Sequence, residues 1–143
     1  MVMNMRRAET GYIVVHCSAT KADQKVTVDD IRRWHVDERK WSDIGYNWVI
    51  ERDGGIEQGR NMHGQGAHAF GYNDKSVGIC LVGGLDEDGQ PEDNFTSEQF
   101  ESLRKLIDFQ LHVYPGAKVL GHRDLPGVHK DCPCFDVRAW RRS

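Results

Sequence analysis

The chain has 143 residues, 38% hydrophobic and 29% charged, a balance that fits one globular domain with a real hydrophobic core. Its net charge of −3, with seven histidines counted neutral, gives no basic field for nonspecific nucleic-acid binding, which depends on many phosphate contacts. No apolar run approaches the ~20 residues needed to cross a bilayer, and the opening MVMNMRRAETGYIVVHC lacks the apolar stretch and cleavage site of a secretory signal. The expectation is a chain that is cytoplasmic at synthesis and monomeric by default, with neither nucleic acid nor membrane as partner.

In chain order, YIVVHC at 12–17 is apolar on both faces, which predicts a central strand in a covered sheet. In TVDDIRRWHVDERKW, Thr27 and Asp30 stand at capping-box spacing before a helix whose buried stripe begins with Ile31 and Trp34. NWVIERDGGIEQGR reads as a β-hairpin with Asp53-Gly54 at its turn, and SVGICLVGG as another apolar strand ending in paired glycines. DEDGQPEDNF is acidic and rich in turn residues, so it reads as a surface loop. Thr96 and Gln99 form a second capping box, followed by Phe100, Leu103, Ile107, Leu111 and Tyr114 at helical spacing until Pro115-Gly116. AKVLGH is a last short strand. Alternating strands and helices with one hairpin predict a single α/β domain over 1–143, a central mixed β-sheet flanked by helices.

The chemistry concentrates in GHRDLPGVHKDCPCFD, residues 121–136, which holds two histidines, two cysteines and three aspartates. Such side chains are costly to bury without partners. Cys17 and Cys80 sit in apolar runs and read as small buried hydrophobes, whereas Cys132 and Cys134 do not. Zinc takes imidazole nitrogen and thiolate sulfur, and catalytic sites usually keep three protein ligands and one open position. His122 at a strand end and Cys132 ten positions later can close a loop, with Pro126-Gly127 as its turn, onto one ion. A third ligand must come from elsewhere, and His16, in an otherwise apolar strand, is the candidate. A structural site would take a fourth ligand, for which Cys134 or His129 is available. Spacing points to a metal and leaves catalysis open.

His16 in VVHCSAT, Tyr46 in DIGYNWVIERDG, the stretch GAHAFGYNDKSVGICLVGG, the helix start NFTSEQF and the ending GHRD…HKDCPCFD occur in one order. Together they resemble the type 2 N-acetylmuramoyl-L-alanine amidases, most of all the zinc amidase "lysozymes" of T-odd coliphages, from about residue 11 to about residue 140. The resemblance implies the fold of the peptidoglycan-recognition proteins and cleavage between N-acetylmuramic acid and L-alanine in peptidoglycan. It implies zinc held by His16, His122 and Cys132, with Tyr46 and Lys130 completing the catalytic set. His68 and Asn73 match a segment bordering the cleft, where contact with substrate or bracing of the loop is implied. The setting it suggests is a phage or prophage lysis enzyme that reaches the wall once another factor opens the membrane. Two rivals are a non-hydrolytic peptidoglycan-binding module and an interaction protein that uses zinc for stability alone. The presence of Cys132 and Lys130 favours catalysis.

Overall fold

The computed structural model describes residues 6–143, so the opening read for a secretory signal lies partly outside the described residues. The chain runs β1 (Tyr12–Cys17), β2 (Thr20–Lys21) and α1 (Val28–Arg33), which continues without a break into one π-helical turn, Trp34–Glu38. The hairpin β3 (Trp48–Ile50) and β4 (Ile56–Gln58) follows, then β5 (Ser76–Leu81) and β6 (Gly84–Leu85). The long helix α2 (Ser97–Val113), β7 (Lys118–Gly121) and α3 (Val137–Arg142) complete it.

Five strands form one sheet in the order β4-β3-β5-β1-β7, and β2 pairs with β6 in a small second sheet. β3, β5, β1 and β7 are parallel, and β4 alone is antiparallel, so the sheet is mixed as expected. β1 lies between β5 and β7, and Ile13, Val14 and Val15 are fully buried. Alternation along β1 divides its side chains between two cores. Ile13 and Val15 pack with Val77, Ile79 and Leu81 beneath Leu103, Leu106 and Ile107 of α2. Val14 faces the other way, toward Ala69, Leu120 and Leu125, and a neighbouring cluster holds Ile31, Ile44, Val49 and Cys80 under α1.

Both predicted capping boxes form. Thr27 Oγ1 accepts from the Asp30 amide while Asp30 accepts from the Thr27 amide at 2.9 Å; Thr96 and Gln99 repeat the exchange at 3.0 and 2.9 Å. Gln99 does more than cap. It is fully buried, and its Nε2 donates to the carbonyls of Ile50 and Val82, tying α2 to the ends of β3 and β5. Gln110, also fully buried, accepts from the Trp48 indole at 3.1 Å.

Three features differ from the sequence reading. The acidic segment at 86–95 is a loop, but β6 just before it pairs with β2. The stripe begun by Ile31 passes to His35, one helical turn on and bonded to the Gly45 amide, rather than to Trp34. Trp34 is left half-buried against the Ile31 cluster. The third is α3, absent from the sequence reading. Asp136 caps it by accepting from the Ala139 amide at 3.0 Å, and Phe135 and Trp140 join Phe95 and Phe100 in an aromatic cluster. No helix among the described residues is long and apolar enough to cross a membrane.

Gln99→Leu keeps the volume near the helix start but removes donors to two carbonyls and the acceptor for the Thr96 amide. It is expected to lower unfolding free energy by about 1–3 kcal/mol, read from the midpoint of urea denaturation. A midpoint unchanged from wild type would show that this link between helix and sheet carries no weight.

Candidate active site

The parallel register sets the site. Tyr12, Ile13, Val14 and Val15 pair in turn with Lys118, Val119, Leu120 and Gly121, so the next residues, His16 and His122, leave the two strands side by side. Their rings stand 4.4 Å apart between centroids. This is the carboxyl end of a parallel sheet, where open α/β folds place their ligands.

Beyond β7 the chain turns through a 3-10 turn at His122–Asp124. Asp124 Oδ2 accepts from the Gly121 amide at 2.8 Å, and the Arg123 amide donates to the Cys132 carbonyl at 2.9 Å. Those bonds fold the loop back, so that the Cys132 sulfur lies 4.0 Å from His16 Nδ1 and accepts from the Cys17 amide at 3.2 Å. His16, His122 and Cys132 each offer one ligand atom, all within 4.8 Å of one another. Two imidazoles and a thiol at that spacing suit a borderline-soft divalent ion, with room for a fourth, exchangeable position. The donor set therefore fits the metal that the sequence implied.

Cys134, the alternative ligand, faces elsewhere. Its sulfur lies 3.9 Å from that of Cys17 and 3.3 Å from the Gly84 carbonyl. Burial pushes the Cys134 thiol up to about 12, with Cys17 adding to the shift. His129 is exposed on the loop.

The cluster lines a cleft that Trp34, Arg39 and Trp41 also border. Lys130 is exposed at the rim, and its charge reaches both histidine ligands. Burial is the first cause holding His16 well below the usual histidine range; the nearby His68, His122 and Lys130 add to it. His122 is lowered by burial and then by Lys130. Both rings are thus neutral at neutral pH, the form that binds a metal. Tyr46 stands with its ring 5.3 Å from that of His16. Burial, with Cys80, Cys132 and Cys17 nearby, raises its phenol well above the ordinary value, so its hydroxyl keeps its proton.

Tyr46 is held from behind by residues the sequence reading passed over. The Gly45 amide donates to His35 Nδ1 and its carbonyl accepts from the Ala67 amide. A side chain at Gly45 would bring a carbon within 2.4 Å of the Ala67 carbonyl oxygen, so only glycine fits. Asn47, fully buried, donates to the carbonyls of Asn61 and Gly64 and accepts from the Gly78 amide. Arg60 donates to the carbonyls of Ile44, Gln65 and Asp43. Asn47 and His35 carry a sequence signal, a polar residue flanked by apolar ones, whereas Arg60, between Gly59 and Asn61, carries none.

His68 lines the cleft beside the cluster, and both of its ring nitrogens have partners within the protein, His16 Nε2 at 2.8 Å and Ser76 Oγ at 3.3 Å. Asn73 braces the same loop: its Oδ1 accepts from the amides of His68 and Ala69, each at 2.8 Å. His63, which the sequence left unassigned, bonds the Tyr114 hydroxyl away from the cluster.

Residues 6–135 match the family model described as N-acetylmuramoyl-L-alanine amidase. The chain is 48% identical over 135 residues to an endolysin of Klebsiella phage KP32, covering 94% of this chain and 87% of that one. It is 47% identical over 135 residues to an endolysin of Escherichia phage T7, with the same coverage. Among solved structures it superposes on Drosophila PGRP-LB with a TM-score of 0.75 and 32% identity, covering 99% of this chain and 83% of that chain. The chain belongs to the N-acetylmuramoyl-L-alanine amidase family. It has the peptidoglycan-recognition-protein fold, is close to the T-odd phage endolysins, and is a peptidoglycan hydrolase of the amidase type.

His35 gives the site a pH dependence of its own. Burial lowers it to about 4, with Arg39 and Arg60 adding to the shift. Between about pH 6.5 and 4 the unfolded chain takes up this proton and the folded chain does not. The associated stability is complete above pH 6.5 and is lost as pH falls toward 4. His35→Phe is expected to cost about 1–3 kcal/mol at pH 7.5, because the Gly45 amide loses its acceptor. It should also flatten the fall in metal-free stability between pH 7 and 4.5, measured by urea denaturation. A variant that follows the wild-type pH curve in parallel would remove His35 from this account.

Proposed function

We propose that the chain cuts the amide bond between the lactyl group of N-acetylmuramic acid and L-alanine in peptidoglycan, with zinc as its metal. The observation that carries this reading is the juxtaposition of a three-ligand cluster with an ammonium at the cleft rim and a protonated phenol beside it. His16, His122 and Cys132 would hold the zinc, which when bound acts as a Lewis acid that polarises the scissile carbonyl and acidifies water.

The protein's own groups account for the rest. Addition of water to the lactyl carbonyl puts negative charge on its oxygen, and a fixed cation stabilises that charge more than it stabilises the neutral amide. Lys130, two residues before a ligand, supplies the cation. The Tyr46 hydroxyl, held protonated, donates a hydrogen bond to the same oxygen or to the attacking water. The walls at Trp34 and Trp41 offer flat apolar surface for a sugar or peptide stem, and Arg39 offers a charge for its carboxylates. Likeness to phage endolysins supports the setting: a monomeric lysis enzyme of a phage or prophage, made in the cytoplasm and acting on the wall after release, with no nucleic-acid or membrane partner.

Cys132→Ser is expected to lose bound zinc and hydrolysis together, since the anionic sulfur is replaced by a neutral hydroxyl. Metal analysis showing full occupancy with normal turnover would end the ligand assignment. Cys134→Ser should leave zinc content unchanged.

Lys130→Ala is expected to keep its zinc and lose about 10²–10³ in kcat with little change in KM, because the lysine acts on charge that exists only in the transition state. Tyr46→Phe keeps the ring and should slow turnover without releasing metal. Both are read by steady-state cleavage of a muramoyl-peptide, with mass analysis identifying the bond cut and zinc measured on the same samples. A rise in KM at constant kcat in Lys130→Ala would make the lysine a substrate-binding charge instead.

A further inference from the structure

His68 is connected in a way that a substrate-binding histidine would not be. One ring nitrogen, Nδ1, meets His16 Nε2 at 2.8 Å, and the other, Nε2, meets Ser76 Oγ at 3.3 Å. Ser76 in turn donates to the Tyr72 carbonyl at 2.6 Å. Only ring carbons remain to face the cleft, so His68 has no free polar atom for a muramoyl-peptide.

The end of this chain of bonds fixes the direction of all of it. A carbonyl oxygen can only accept, so the single hydroxyl proton of Ser76 points to Tyr72. The Ser76 oxygen is then left to accept from His68, which puts the His68 proton on Nε2. A neutral imidazole carries one N–H, so His68 Nδ1 is a lone pair and accepts from His16. His16 therefore has its proton on Nε2, and its Nδ1 lone pair is directed to the side where the Cys132 sulfur lies 4.0 Å away. The opposite polarity would set two lone pairs against each other between His68 and Ser76, where Ser76 is fully buried.

We propose that His68 is a positioning residue for the metal centre: with Ser76 and the Tyr72 carbonyl it locks His16 in the Nε2–H tautomer and presents Nδ1 to the metal. This rests on the reading of His16 as a metal ligand. The surroundings hold His68 for that task. Asn73 anchors the backbone amides of His68 and Ala69, each at 2.8 Å. Gly78 of β5 leaves the space its ring occupies: a side-chain carbon there would come within 2.6 Å of the imidazole. Partners of this kind, behind a metal-binding histidine, typically change metal affinity by about 10–100-fold when removed.

The test has one readout that needs no substitution and one that does. Long-range ¹⁵N–¹H NMR of the metal-free protein should show His16 and His68 both protonated at Nε2; an Nδ1–H signal for His16 overturns the proposal. Zinc affinity, measured by competition with a chromophoric chelator, should fall about 10–100-fold in His68→Phe, with circular dichroism unchanged. It should recover in part in His68→Gln, whose amide can accept from one partner and donate to the other. Affinity in His68→Phe within twofold of wild type, while His16→Ala loses zinc, overturns the positioning role alone. Undiminished zinc binding in His16→Ala overturns the ligand assignment, and the proposal with it.

Discussion

The parallel pairing of β1 with β7 is the constraint from which the site follows. Side chains alternate along a strand, so one register both buries Ile13 and Val15 under α2 and sends His16 to the opposite face. The same register aligns the end of β7, so His122 emerges beside His16. A slip of one residue would exchange the faces of either strand, moving Ile13 and Val15 out from under α2 and separating the imidazoles. Core packing and metal geometry are thus specified by one set of backbone hydrogen bonds. The fully buried β5 on one side, and buried cores on both faces of β1, make that register hard to change.

Around this fixed pair the remaining groups arrive from loops, each restrained by local bonds. Cys132 returns through the Arg123–Cys132 and Gly121–Asp124 bonds, and its sulfur is fixed by the Cys17 amide. Tyr46 follows Gly45, clasped between His35 and Ala67. Lys130 stays exposed on the loop that borders the cleft. The order of rigidity suits the chemistry. Metal ligands need geometry held before substrate arrives, whereas a cation at the rim can move with it.

Much of this was legible in the sequence, and the reasons are local. YIVVHC declares a buried strand because nearly every position is apolar, and its histidine stands out for that reason. The two capping boxes read correctly because Thr27 with Asp30, and Thr96 with Gln99, interact across one helical turn. His16, His122 and Cys132 were named before any geometry, but spacing alone left Cys134 and His129 open. The resemblance, carried by motifs in order, singled out the three that converge. What escaped depends on contacts distant in sequence. α3 has a cap in Asp136 but is only six residues long, too short for a periodic pattern; its place is set by Phe95 and Phe100, far earlier in the chain. The π turn that buries His35 is stabilised by the Gly45 amide, which no window around Trp34 reveals.

Buried polar residues connect these two kinds of information. Asn47, Gln99 and Gln110 are fully buried, and each joins elements that the hydrophobic cores alone would leave free to slide. An apolar core rewards contact in many relative positions, but a hydrogen bond from a buried amide is satisfied in very few. Asn47 closes on Gly78, and Gly78 is the residue whose missing side chain admits the His68 ring. The same stretch of β5 therefore positions the Tyr46 loop through its backbone amide and the ring behind His16 through an absent Cβ. Apolar burial selects the fold, whereas these directional bonds set the tolerance within which the His16 imidazole and the Tyr46 phenol line the same cleft.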